Sequence, residues 1–217
     1  MDVANLYHNR FDNKEILIKN HIWKILCSNF FNKYINFNDV ILDLGSGYCE
    51  FINNIGAQKK IAVDINNDTK HFANKDVEVF IFDFVNTKFF KSNTFDVVFI
   101  SNFFEHLKDK IEILRVLQNV REILKTNGIL LILQPNIKYL TKEYWDFFDH
   151  NIALSDKSMC EALKLAGFNI KLAIPKFLPY TFKSKLPKSD FLLKLYLNLP
   201  FLWQIFGKQM FIIAQKP

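Results

Sequence analysis

Five short apolar runs, none alternating with polar residues, constrain this chain more than any other feature. They are VILDL (40–44), KIAVDI (60–65), VEVFIFDF (77–84), FDVVFIS (95–101) and GILLILQPN (128–136). A strand with one wet face alternates. A strand that is apolar throughout has to be covered on both faces, as in a parallel sheet between two helical layers. Helical spacing fills the gap between the fourth and fifth runs, in DKIEILRVLQNVREILKTNG, with a stop expected at Asn127-Gly128. A further helix is expected from about Glu50. Another, in LSDKSMCEALKLAGF, is capped by Ser155 or Asp156 and stops at Gly167. NIKLAI and QMFIIAQK supply two last strands. Strand, helix, strand in succession predicts a doubly wound α/β sheet.

The 217 residues read as one domain. Residues 1–37 form a helical cap and 38–136 a ligand-binding core. Residues 175–207, rich in proline, lysine and aromatics, form an insertion or lid before the last strand. The formal charge of +6 suits an anionic small molecule, a nucleic acid or an anionic membrane surface. The three cysteines, Cys27, Cys49 and Cys160, form no CxxC, so neither a zinc site nor a disulfide framework is indicated. The polar start lacks the apolar stretch of a signal peptide, and no uninterrupted run is long enough to span a bilayer. A cytoplasmic protein is expected, with 175–207 able to lie on a membrane.

The first run ends in a glycine turn, DLGSGYCE, where Gly45 and Gly47 allow backbone N–H groups to approach a ligand closely. The third glycine of a dinucleotide-binding turn would fall on Glu50, whose charge would repel a pyrophosphate. Asp64 ends the second strand, where an acid accepts hydrogen bonds from a ribose diol. Asp83 and Phe84 end the third, placed for an adenine amino group and ring. Asp43, inside the first strand, is costly to bury without a partner, which a cationic ligand group would supply.

These residues resemble the motifs of class I S-adenosylmethionine-dependent methyltransferases. DLGSG matches the family's acid and Gly-x-Gly, Asp64 its strand-end acid, and Asp83 its acid after the third strand. FDVVFISNFFEHL matches the post-fourth-strand motif, and LKTNGILLIL the turn into the fifth strand, with Asn127 in place of a glycine. One departure is Cys49, where the family often has a further glycine. The resemblance implies a seven-stranded Rossmann-like sheet with a reversed last strand. It also implies S-adenosylmethionine as cofactor and S-adenosylhomocysteine as product. The cofactor would be held by Asp43, Gly45, Ser46, Gly47, Asp64, Ile65, Asp83, Phe84 and Asn102, with no metal.

The acceptor of such an enzyme sits over the ends of the fourth and fifth strands. The residues expected to line it are Tyr7, His8 and Arg10, then Asn102, Glu105 and His106, then Asn136, Tyr144, Trp145, Asp149 and His150. His106 and His150 are the candidate general bases for a hydroxyl acceptor. Base-amino methyltransferases of this class carry an N/D-P-P-Y/F turn, and SNFF (101–104) stands in its place, which disfavours that activity. The late segments resemble methyltransferases of bacterial cell-surface polysaccharide biosynthesis. That implies O-methylation of a sugar, a nucleotide-sugar, or a phosphate- or phosphoramidate-type substituent. A transfer or ribosomal RNA acceptor and a lipid-linked acceptor are the alternatives.

Overall fold

The computed structural model describes residues 13–180 and 189–217. Its strands are β1 (Val40–Leu44), β2 (Lys59–Asp64), β3 (Val77–Ile81), β4 (Phe95–Ser101), β5 (Leu124–Pro135), β6 (Asn169–Ile174) and β7 (Gln209–Gln215). They form one seven-stranded sheet in the order β3-β2-β1-β4-β5-β7-β6. The first five pair in parallel, and β7 runs antiparallel to both neighbours. Strand order reverses between β1 and β4, so the crevice beyond their carboxyl ends is where such a sheet binds ligands. All seven expected strands are present, with the last reversed.

The helices are α1 (Asn13–Asn29), α2 (Thr69–Phe72), α3 (Lys110–Ile123), α4 (Asp156–Leu165), α5 (Asp190–Asn198) and α6 (Pro200–Phe206). α3 and α4 cover one face of the sheet, burying Ile113, Val116, Leu117, Val120, Met159 and Leu163 against Leu42, Ile100, Leu130 and Ile132. Both begin on side-chain caps. Asp109 accepts from the N–H groups of Ile111 and Glu112, each at 2.8 Å, and Ser155 closes a capping box with Ser158. The other face is covered by α1, α5 and α6 around an aromatic cluster. Trp23 packs on Phe31, Phe51 and Phe99, and Phe30 on Phe177 and Phe211.

Three expectations are corrected. No helix follows the glycine turn: residues 50–55 make turns, with Asn53 N–H on Cys49 O and Asn54 N–H on Phe51 O. Phe51, Ile52 and Ile55 plug the core directly, and the Asn53 side chain ties the segment to Phe72 O and Asn74 N–H. α3 stops at Ile123, because Leu124 turns extended to pair with Phe95. Asn127 does take a left-handed backbone (φ 63°), but in a bulge of β5 where its N–H meets Lys216 O.

The third correction concerns α5 and α6, within the expected insertion, which form a layer of the fold rather than a lid. Leu193, Tyr196, Leu197 and Trp203 are buried among Ile22, Phe30 and Phe211. The polar tips there are satisfied, with Tyr196 OH on Phe177 O and Trp203 Nε1 on Tyr196 O. The outer side of the layer leaves Phe191, Leu192, Leu195, Phe201, Ile205 and Phe206 exposed. Among the described residues, no helix is long and apolar enough to cross a membrane.

Candidate active site

The glycine turn lies at the carboxyl end of β1. Gly45 (φ 73°) and Gly47 (φ 51°) are both left-handed, a backbone that side chains disfavour. A Cβ on Gly45 would stand 2.7 Å from Cδ2 of Phe103, so that ring requires a glycine beneath it. The turn is locked to β2. Gly47 N–H donates to Asp64 Oδ2 at 2.7 Å, Asn66 N–H to Oδ1 at 2.8 Å, and Thr69 Oγ1 to Gly47 O at 2.8 Å.

Three carboxylates converge here. Asp43 is 2% exposed and accepts a hydrogen bond from Ile52 N–H. Glu50 is buried and pairs with Lys19 at 2.9 Å. Burial first, and then the charges of Glu50 and Asp64, push the Asp43 carboxyl well above the usual range. Burial also raises Asp64, against the N–H groups of Asn66, Gly47 and Ile65 that favour its charged form. A concave, acid-lined turn suits a ligand that carries positive charge. With no helix dipole behind it, its attraction for that charge comes from the acids. Ser46 is buried beside the Cys49 thiol, and its hydroxyl has no oxygen or nitrogen partner.

Further along this edge, Ile65 is exposed next to Asp64, where a flat ring could rest on it. Asp83 is exposed, and its oxygens accept from Val85 N–H and Asn86 Nδ2. Phe84 is a correction. Its ring is buried in the core with Leu42, Leu44 and Val85, so it has no face left for an adenine.

The acceptor side is built by the chain leaving β4. Asn102 takes φ 47°, donates its N–H to Leu133 O and is exposed. A 3-10 turn, Phe104–His106, then buries Glu105 and half-buries His106. The loop of residues 144–152 folds back over it. Asn151 and Ile152 donate N–H to Glu105 O, and Asn151 Nδ2 donates to His106 O. This places the His106 and His150 rings 5.2 Å apart, centre to centre.

Each polar group in the cluster is held by a second one. His106 Nδ1 lies 3.1 Å from Asp149 O and 3.2 Å from Asp149 Oδ2. His150 Nδ1 lies 2.8 Å from Tyr144 O, and Gln134 Nε2 donates to Glu105 Oε2 at 2.7 Å. Burial would lower the pKa of His106. The hydrogen bond that His106 donates to Asp149 and the charges of Glu105 and Asp149 outweigh it and raise the value to about 9. This favours the imidazolium form of His106 at neutral pH, so of the two candidate bases His150 is the one favoured as neutral. His150 is lowered, mainly by burial, and stays neutral with Nδ1–H on the Tyr144 carbonyl.

The remaining expected residues divide. Tyr144 is buried and donates its hydroxyl to Ile152 O, and Trp145 is exposed beside it. Asn136 is fully buried and is a correction. Its amide donates to Asp156 Oδ1 and Pro175 O and accepts from Lys138 N–H, so it braces the loop after β5 and has no group to offer an acceptor. Tyr7, His8 and Arg10 lie outside the described residues. Two contributors escape a reading of the sequence. Gln134 was signalled only as a polar residue in an apolar strand, and Phe103 had no signal at all.

Residues 24–172 match the family model described as a methyltransferase domain. Over 160 residues, covering 71% of this chain and 67% of the relative, the chain is 32% identical to an uncharacterised protein of Methanocaldococcus jannaschii. Its fold superposes on a SAM-dependent methyltransferase of Archaeoglobus fulgidus with a TM-score of 0.69, at 22% identity over 91% of this chain and 94% of that one. It also superposes on a chain from the complex between the Haloferax volcanii Trm112 methyltransferase activator and a methyltransferase, with a TM-score of 0.71. The identity there is 14%, over 95% of each chain.

Proposed function

We propose, for a chain that belongs to the methyltransferase-domain family and uses S-adenosylmethionine, transfer of the methyl group to an oxygen of a sugar, nucleotide-sugar or surface-glycan acceptor. Asp43, Asp64 and Glu50 fit the two positive charges of that cofactor, and the partnerless Ser46 hydroxyl offers a further hydrogen bond. Asp64 at the end of β2 and the exposed Ile65 and Asp83 would hold the nucleoside end. The bound cofactor supplies a methyl group on a sulfonium, already a good leaving group, so the protein's part is chiefly alignment and exclusion of water.

The observation that carries the oxygen acceptor is the Glu105, His106 and His150 cluster beyond β4, gathered within reach of the turn that Asn102 makes. A neutral amine attacks through its lone pair and can shed its proton after transfer, whereas a neutral hydroxyl is a poor nucleophile unless a base such as His150 takes its proton as the oxygen attacks. A small polar acceptor fits beside the exposed Trp145 and Asn102, and a lipid-linked one would suit the exposed apolar side of α5 and α6. A structured RNA is the second reading. It is favoured by the charge of +6 and by the likeness to a chain from a complex with a methyltransferase activator, which would make a protein partner part of the enzyme. The test is transfer of label from methyl-labelled cofactor to fractionated pools of nucleotide-sugars, glycan intermediates, lipids and RNA. Label in the sugar-containing fractions supports the first reading, and label confined to RNA replaces it with the second.

A further inference from the structure

We propose that Glu105, His106 and His150 form a binding site for one divalent transition-metal cation. One donor atom from each of the three lies within 4.8 Å of the other two. A cation about 2.1 Å from each donor, in tetrahedral geometry, spaces its ligands about 3.4 Å apart. Binding therefore requires the three side chains to close in from the 4.8 Å spread by about 1 Å.

The outer hydrogen bonds are the stronger argument. Metal-binding histidines characteristically spend the second ring nitrogen on a carboxylate or a backbone carbonyl, which sets the tautomer and aims the first. Both rings do so here: His150 Nδ1 on the Tyr144 carbonyl, and His106 Nδ1 on Asp149. In each case Nε2 is the nitrogen left to bind a ligand, and on His106 the cation takes the place of the Nε2 proton, which is released to solvent. Glu105 is oriented in the same way by the Gln134 amide, and it is buried, where a cation is its natural partner. The two segments that bring the ligands are stitched together by the Asn151 and Ile152 N–H bonds to Glu105 O and by Asn151 Nδ2 on His106 O. The fold thus brings the two ligand-bearing segments together, and the side chains close on the cation.

Two imidazoles and one carboxylate select zinc, cobalt, iron, nickel or manganese over calcium or magnesium, which prefer all-oxygen sites. Three protein ligands leave at least one position open. That position would take the acceptor hydroxyl and lower its pKa, as a bound cation does for water. This role rests on the oxygen acceptor proposed above, whereas binding of the cation does not.

The test is a titration of untagged, chelator-treated full-length protein with cobalt(II), followed by visible absorption, with zinc(II) as competitor. One equivalent of a saturable chromophore, displaced by zinc, is expected. His150→Gln and Glu105→Gln should each weaken binding by about 100-fold. Asp149→Asn, which acts only by positioning His106, should weaken it about 10-fold, and the exposed His71→Gln should leave it unchanged. Circular dichroism and S-adenosylhomocysteine binding report whether each variant is folded, and the wild-type titration stands without them. No saturable binding by the wild type would overturn the proposal, as would full binding by folded His150→Gln and Glu105→Gln proteins. Cation binding without methylation of any hydroxyl would overturn only the acceptor reading. Hydroxyl methylation in a protein that binds no cation would overturn only this one.

Discussion

Replacing Asp43 by Asn separates what this residue does for the cofactor from what it does to the fold. The carboxyl is 2% exposed, accepts one backbone hydrogen bond from Ile52, and faces Glu50 and Asp64. Lys19 pairs with Glu50, which leaves the three acids short of positive charge. An ionised carboxylate so placed opposes folding, and its pKa stands well above the usual range. A carboxyl with a higher pKa folded than unfolded holds its proton longer in the native state. Its favourable contribution is therefore full at low pH and is lost as pH rises through the folded value. Asn keeps the size and the acceptor for Ile52 N–H and removes the charge. At pH 7 the variant should be more stable than the wild type by about 1 kcal/mol, a rise of about 2–4 °C in Tm for a chain of this length. The difference should shrink as pH falls and vanish below the unfolded carboxylate value, where Asp43 is protonated in both states. The same change should weaken S-adenosylmethionine by about 1.5–3 kcal/mol, the loss typical of a hydrogen bond to a charged group. Scanning calorimetry over pH with titration calorimetry of the cofactor measures both. A lower Tm for the variant at pH 7, or unaltered cofactor affinity, would refute the reasoning.

Asp64→Ala should weaken S-adenosylhomocysteine by about 1.5–3 kcal/mol in titration calorimetry, because it removes an acceptor and frees the Gly47 N–H that locks the turn. Gly45→Ala forces φ 73° on a side chain and drives its Cβ against Phe103, so denaturant unfolding should show a loss of about 2 kcal/mol. Adding Phe103→Ala should recover the steric part and leave the backbone part. Trp203→Ala should cost about 3–5 kcal/mol and preserve a single unfolding transition, since α5 and α6 are a layer of the core; a detachable lid would leave the main transition unmoved. If the acceptor is a small sugar nucleotide, its affinity should fall only modestly between low and moderate salt. A steep logarithmic slope would mean release of counterions from a nucleic acid and would favour the RNA reading.

What the sequence determined by itself is what short-range chemistry encodes. Continuous apolar runs announced buried parallel strands, and Ser155 and Gly167 marked both ends of α4. The pair Gly45 and Gly47 announced a turn that only left-handed residues could make, and Asp43 was conspicuous as a charge in an apolar strand. Those signals lie within a few residues of what they specify, so they are read without knowing the rest of the fold.

The tertiary structure decided which groups face one another. His106 and Asp149 are 43 residues apart in the chain and in hydrogen-bond contact in the fold. That contact raises the pKa of an expected base, and the same fold brings His150 and Glu105 to it, so residues that looked like separate candidates form one cluster. Asn136 looked equally available until packing gave its amide to Asp156 and Pro175. The helix expected from Glu50 lost to burial of Phe51, Ile52 and Ile55, and the stop expected at Asn127 lost to the pairing of Leu124 with Phe95. In each case a contact between distant segments outweighed a local preference worth a fraction of a kcal/mol per residue. A sequence displays such preferences residue by residue, but not the distant partner that overrides them.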